Sequence, residues 1–470
     1  LKPRPRFFLA ILFLIFSLPS DAQNDSSRLR SLKIKTLRIS GNKTTKEHII
    51  LRELMFHAGD SLSREQLDEA CSRSKQNLMN TSLFNFVTIT YDSSSDSCVN
   101  VRIDCRERWF TWPVPIFEFY EQNFNTWLLH PSLNRLDYGI NLNRYNFLGR
   151  KQILSIILRM GYSEQYGFTY SIPYINSKQH SGLIVGLLYS RTHEIPYACF
   201  ANKLDYYKDN ANYVRYDIAG RAGYTYRQGI YNTYFAELRY AQAHISDTIR
   251  KLSDVYFSQN QNTMNYVSAN LGFVRDLRDS KPYPLKGYYI QVGMNKTGLG
   301  VLSKTPDFWQ LSVLLRKYWQ WSDRISSGIA FKGKWSGQSN VPFYFQTSVG
   351  FRDYVRGYEY YVMQGQSYAL LKTVWRYQIV KPHVKQIPFL PLEKFNTFHY
   401  AFYAGLFADM GYVQSLNELP QMMNSLTNTM LYGYGAGIDF VTYYDIVIRA
   451  EYSFNKMGES GLFLHFNSAL

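Results

Sequence analysis

Beyond its N-terminal stretch this chain has no run of ~18 consecutive apolar residues, the length a membrane-crossing helix requires. That excludes a helical span, and a mean hydropathy of −0.29 would by itself describe a water-soluble protein. Cysteine is scarce too, at four in 470 residues, too few for a disulfide-built scaffold. No Gly-x-Ser-x-Gly occurs; Gly365-Gln366-Ser367-Tyr368-Ala369 lacks the last glycine. The nine histidines form no triad, and no Cys/His spacing reads as a metal site. The reading is of a non-enzyme without metal or cofactor. The net charge of +16 comes without a compact Lys/Arg block. Solvated loops and paired cations on inner strand faces account for it better than a basic face toward anionic lipid, and nucleic acid is not expected.

What the chain does have is aromatic residues, 17% of the total with 40 tyrosines, and segments of strict alternation. From His399 to Val413, Tyr400, Phe402, Ala404, Leu406, Ala408, Met410 and Tyr412 share one face. His399, Ala401, Tyr403, Gly405, Phe407, Asp409 and Gly411 share the other. A period of two with one apolar face describes a strand greased on one side. Tyr400 and Tyr412 cap that face roughly 40 Å apart, or about 28 Å once tilted by ~45°, which fits a lipid-facing band with a ring at each interface. Only every second residue meets lipid, so such a strand averages out as polar.

The same texture runs from 112 to 470. Tyr138, Ile140 and Leu142 alternate with Gly139, Asn141 and Asn143. Val267, Ala269, Leu271 and Phe273 alternate with Tyr266, Ser268, Asn270 and Gly272. Tyr444, Ile446, Ile448, Ala450, Tyr452 and Phe454 alternate with Asp445, Val447, Arg449, Glu451 and Ser453. Inner-face charges of both signs predict a wet lumen. About 16 such segments predict a closed transmembrane antiparallel β-barrel, because an open sheet edge in lipid would leave its N–H and C=O groups without partners. A soluble sandwich or propeller leaves the aromatic spacing unexplained.

At the N-terminus, Lys2, Arg4 and Arg6 precede an apolar core from Phe7 to Leu18, then Ser20-Asp21-Ala22. Residues 1–22 therefore read as a signal peptide. Export together with a strand-built membrane region implies a Gram-negative outer membrane.

Residues 31–108 read as a small α+β domain of order β-α-α-β-β. Ile34, Leu37 and Ile39 make its first strand. Thr44 with Glu47 is a capping box for a helix carrying Ile50, Leu51 and Leu54, and Ser63 with Gln66 is a second one. The longer second helix buries Leu67, Cys71, Ser74 and Leu78. Val87 to Tyr91 and Val99 to Ile103 are strands, with a turn from Asp92 to Ser97. Cys98 and Cys105 face opposite sides of one strand; Cys71 and Cys105 both face the core, as a disulfide or as free thiols.

Four sets of residues carry a family resemblance. The small domain has Gly41-Asn42 after its first strand, Arg52-Glu53-Leu54 in its first helix and Leu83-Phe84 before its second strand. Tyr138-Gly139 leads through to Asn146-Phe147-Leu148-Gly149-Arg150. Asp276-Leu277-Arg278-Asp279 is followed by Pro284 and Gly287. Val355-Arg356-Gly357-Tyr358 and Phe407-Ala408-Asp409-Met410-Gly411 are the most specific. Over essentially the whole mature chain, this resembles the BamA/TamA superfamily of outer-membrane barrels with periplasmic POTRA domains.

The resemblance implies that the loop around Arg356 folds into the lumen and that Arg356 pairs with Asp409. It implies a protein assembly or translocation factor acting through POTRA β-augmentation and a lateral seam, here Val114 to Tyr120 against Gly461 to Phe466. Its partners would be outer-membrane lipid, unfolded outer-membrane or secreted clients, and accessory subunits. A single POTRA-like domain suggests an accessory or specialised member. The alternatives are a passive channel or a structural subunit of a larger outer-membrane complex.

Overall fold

The computed structural model describes residues 31–470, apart from 96, 120–135, 258–259, 304, 339–340, 351, 387–394, 417–421, 443 and 467–470. The expected signal peptide, 1–22, and Tyr120 of the expected seam lie outside the described residues.

The N-terminal unit comprises β1 (Leu32–Ser40), α1 (Glu47–Leu51), β2 (Ser61–Leu62), α2 (Arg64–Met79), β3 (Phe84–Ser95) and β4 (Cys98–Glu107). Its sheet order is β2-β1-β4-β3, with β1 parallel and β3 antiparallel to β4. The two-residue β2 is an addition to the expected order. Ile34, Ile50, Leu67, Leu78, Val99 and Ile103 pack as a core with no residue more than 1% exposed. Each such side chain contributes about 1.5–3 kcal/mol by leaving water.

The Ser63–Gln66 capping box opens α2, which buries Leu67, Cys71, Ser74 and Leu78 as its spacing requires. The Thr44–Glu47 box does not form: Lys46 is the N-cap of α1 and makes no side-chain cap. The Glu107 carboxylate instead accepts the backbone N–H of Thr44 and of Thr45, so a distant acid does the local cap's work. Helix α1 ends at Leu51, so Arg52, Glu53 and Leu54 lie beyond it. Strand β3 continues to Ser95, through most of the expected turn. None of the four cysteines forms a disulfide. Burial pushes the Cys71 thiol up to about 11 and that of Cys105 up to about 12.

The barrel wall opens with β5 (Thr111–Phe119), β6 (Leu136–Phe147), β7 (Gln152–Gly161), β8 (Ser163–Ile172) and β9 (Ser181–Thr192). A hairpin outside the wall follows, β10 (Glu194–Phe200) with β11 (Lys203–Lys208). The wall resumes with β12 (Arg215–Gln228) and β13 (Asn232–Ile245), then α3 (Asp247–Leu252) in a loop. Next come β14 (Thr263–Asp276), β15 (Gly287–Thr297), β16 (Phe308–Gln320) and β17 (Ile325–Ser336). A long loop holds the short pair β18 (Thr347–Val349) and β19 (Met363–Gly365). Strands β20 (Ser367–Gln386), β21 (Thr397–Gln414), β22 (Met430–Thr442), β23 (Val447–Asn455) and β24 (Ser460–His465) complete the wall.

These make one 16-stranded sheet whose order begins at β5 and ends at β24. Neighbours are antiparallel throughout. On β21, Leu406 and Met410 are more than half exposed, whereas Phe407 and Asp409 are buried, as alternation dictates. On β23 the alternating segment begins later than expected. Tyr444 and Asp445 have positive φ and form a turn, because Asp445 reaches back to an ion pair with Arg108 at 2.8 Å.

The end of the barrel away from the N-terminal unit is covered by its loops. Phe343, Tyr344 and Phe345 from the long loop pack against Ile195, Ile249, Tyr256 and Phe257 from two other loops. Tyr344 Oη also donates to Asp217 Oδ1 at 3.0 Å. Beneath them is a cavity of about 660 Å³ lined by Asn141, Asn143, Ser155, Arg221, Glu237 and Arg239. The lumen is polar, as the inner-face charges require.

Candidate functional site

Period two on β21 turns Asp409 inward, and its carboxylate is fully buried. The loop between β17 and β20 descends to meet it. Val355 and Tyr358 are fully buried and Arg356 is 2% exposed. Arg356 Nε and Nη2 donate to the two Asp409 oxygens at 2.8 and 2.5 Å, a fork-to-fork pair. The Arg356 backbone N–H adds a third bond at 3.2 Å. Its Nη1 donates to Glu451 at 3.0 Å and Nη2 to the Thr373 carbonyl at 2.9 Å. The guanidinium also lies 3.9 Å from the centroid of the Phe407 ring, a contact worth about 2 kcal/mol when desolvated.

Glycine lets the loop approach this closely. Gly357 has φ +94°, which favours a residue without Cβ. A Cβ on Gly411 would lie 2.5 Å from Val355, and one on Gly433 would lie 1.8 Å from the Arg356 carbonyl oxygen. The Tyr358 hydroxyl donates to the Tyr432 carbonyl at 3.2 Å and accepts the Lys456 N–H at 3.1 Å. Loop and wall are one packed unit here.

Asp276, Arg278, Asp279, Pro284 and Gly287 lie elsewhere, at the barrel rim next to the N-terminal unit. Arg278 forms a fork with Asp276 at 2.8 Å through both oxygens. Asp279 accepts the N–H of Ser280 and of Leu285, closing the turn. Burial pushes the Asp279 carboxyl up despite these bonds. The Pro284 carbonyl accepts from Arg376 at 3.1 Å, and Gly287 has φ +102° with the Leu277 carbonyl where a Cβ would be.

A chain of charges down the inner wall joins the two groups. Tyr283 donates to Asp439 at 2.6 Å, Arg449 to Asp439 at 2.6 Å, and Arg449 lies 3.6 Å from Glu451, the second acid on Arg356. Glu451, Asp439, Arg449 and Arg376 were not singled out as site residues in the sequence. Alternation places Glu451 and Arg449 on the inner face, but no periodicity says which inner charges meet.

The fold and this latch define a class: an outer-membrane β-barrel with a loop inserted into its lumen and one small domain at its mouth. An Omp85 superfamily domain model matches residues 146–444, and the chain belongs to that superfamily. A POTRA model, described as a surface antigen variable number repeat, matches residues 32–108. No curated protein sequence matches the chain. Among solved structures, CdiB from Escherichia coli is similar with a TM-score of 0.56 at 13% identity, over 93% of this chain and 75% of that one. BamA from Haemophilus ducreyi lacking POTRA domains 1–3 gives 0.50 at 13% identity, over 93% and 83%. CdiB from Acinetobacter baumannii gives 0.50 at 12%, over 93% and 74%. At such identities the likeness is one of fold. The protein is thus an outer-membrane barrel with its POTRA domain on the periplasmic side, in a superfamily of non-enzymatic assembly and translocation proteins.

Proposed function

We propose that this protein inserts or exports client proteins at the Gram-negative outer membrane, with the β5–β24 seam as the place where a client strand joins the wall. The observation that supports it most is the lumenal loop fastened to the wall through Arg356, Asp409 and Glu451. A loop so deeply anchored, beneath an outer mouth filled by aromatic residues, suits a gated device better than a permanently open channel. His465 of β24 stacks on Tyr354 of the same loop, 5.2 Å between rings, and lies 3.5 Å from Glu451, so the last strand and the latch share side chains. Strand β3 is an edge of the POTRA sheet among the described residues, the place where a client segment would extend it. Outward residues of the seam strands, Phe117 and Leu462, are exposed at 63% and 65%.

The test is depletion followed by a census of outer-membrane and secreted proteins, with a photo-crosslinker at Phe117 or Leu462. Nascent client chains caught at those positions, and their loss from the membrane on depletion, are the expected result. A stable subunit caught instead would indicate scaffolding. No client captured, an unchanged census and open conductance in planar bilayers would indicate a pore and sink the proposal.

A further inference from the structure

Where the POTRA domain meets the barrel mouth there is a cavity of about 320 Å³. Ser171, Thr225 and Thr233, on the inner faces of β8, β12 and β13, form part of its wall, and Asn77 and Asn80 from the end of α2 approach from the domain. Its lining carries Lys151, Arg227, Arg278 and Lys281 against only Glu53 and Asp276.

Both acids are already engaged. Glu53 receives Arg227 at 2.6 and 2.9 Å, and Asp276 receives Arg278. Lys151 shares the same carboxylate through a longer ion pair, 3.7 Å from Glu53, so one acid serves two cations. Lys281, at the open edge of the cavity, has no ion pair among the described residues. Beside them, Arg52 Nη1 is buried and makes no hydrogen bond among the described residues. Burial and neighbouring cations push the ammonium groups of Lys151 and Lys281 down to about 8, although Glu53 acts in the opposite direction. Cations gathered beyond what the acids neutralise repel one another, and a bound anion relieves that repulsion.

We infer that this cavity binds a phosphate group, held by Lys151 and Lys281 with Arg227 and Arg278 behind them, and that its occupancy fastens the POTRA domain to the barrel. A tetrahedral oxyanion uses several charge-assisted donors at once, which suits cations reaching in from separate turns and strands. The volume accommodates a phosphate or a small phosphate ester.

The test uses the full-length protein in detergent micelles, purified without phosphate. Inorganic phosphate and phosphatidic acid in mixed micelles are titrated separately by calorimetry and thermal unfolding, against chloride at equal ionic strength. Phosphate binding is expected to raise the unfolding temperature beyond the chloride effect. Lys281→Met and Lys151→Met are each expected to weaken it by roughly tenfold, the loss of one charge-assisted bond. Lys281 sits in a turn, so that variant reports even if Lys151→Met fails to fold. A response to inorganic phosphate assigns a soluble source; a response to phosphatidic acid alone assigns a lipid headgroup. A response to neither inorganic phosphate nor phosphatidic acid beyond that of chloride, or equal affinity in Lys281→Met, overturns the inference. So does binding of an acidic peptide in place of phosphate.

Discussion

Glu53 and Arg227, 174 residues apart in the chain, form a two-pronged ion pair across the domain junction, at 2.6 and 2.9 Å. Tyr174 lies against both groups, and Arg52 donates to the carbonyls of Gln179 and Gly229 in two different barrel turns. Further round the mouth, Asn80 binds the Arg278 and Asp279 carbonyls, and Arg108 forks onto Asp445. The POTRA domain therefore rests on turns distributed around the barrel rim. Removing one member of a buried pair strands the other, at a cost of about 3–5 kcal/mol. Glu53→Ala should accordingly loosen the domain, seen as faster amide exchange in the residues facing the rim, with the barrel itself unchanged. Equal exchange in variant and parent would refute this.

The same cluster makes docking depend on pH. Neighbouring cations hold Glu53 down at about 2 against burial, compared with its ordinary 4.5. Its contribution is present in full above 4.5 and is lost as pH falls through about 2. Lys151 moves from 10.5 to about 8, which penalises its charged form in the docked state. That penalty operates below about 8 and is relieved as pH rises toward 10.5, because the undocked state then binds more protons. In phosphate-free buffer, a dye pair spanning the junction should report tighter docking at pH 10 than at pH 7. Looser docking at pH 10 would be the contrary result.

Arg356 should not tolerate lysine. An ammonium keeps the charge but cannot span both Asp409 oxygens while also reaching Glu451 and the Thr373 carbonyl. Arg356→Lys should therefore behave nearly like Arg356→Ala: a protease-sensitive loop and a barrel that loses its folded gel mobility at lower temperature. Gly433→Ala should do the same from the opposite side, since its Cβ would occupy the place of the Arg356 carbonyl. Parent-like heat stability in all three would remove the latch from the account.

Replacing Phe343, Tyr344 and Phe345 together by alanine removes the rings that the long loop packs against the outer loop cluster. Single-channel recordings should then show conductance well above that of the parent. If both conduct equally, these rings do not close the outer mouth.

The Cys71 and Cys105 thiols, pushed up to about 11 and 12, carry almost no thiolate near neutral pH. At pH 8 the folded protein should alkylate at these positions at least about 100-fold more slowly than a free cysteine. Unfolding should restore the rate. Fast labelling of the folded protein would contradict the buried placement.

Much of this molecule was legible in its residues because sheet geometry is local. A period of two is fixed by the pleat, so alternation alone assigned Asp409 and Glu451 to the inner face and Leu406 and Met410 to lipid. The Ser63–Gln66 cap was equally local. Three-dimensional proximity decided what no spacing encodes. Glu107 took over the cap expected of Thr44 and Glu47, because its carboxylate arrives from the far end of the small domain. Asp445 left its strand for a turn because Arg108 waits there. The position of Arg356, in a loop without periodicity, was suggested by resemblance and not by pattern; its bond to Glu451 and the meeting of Glu53 with Arg227 were visible in neither. Backbone sterics act between neighbours and leave a mark in the sequence, whereas ion pairs act through space and wait for the chain to close.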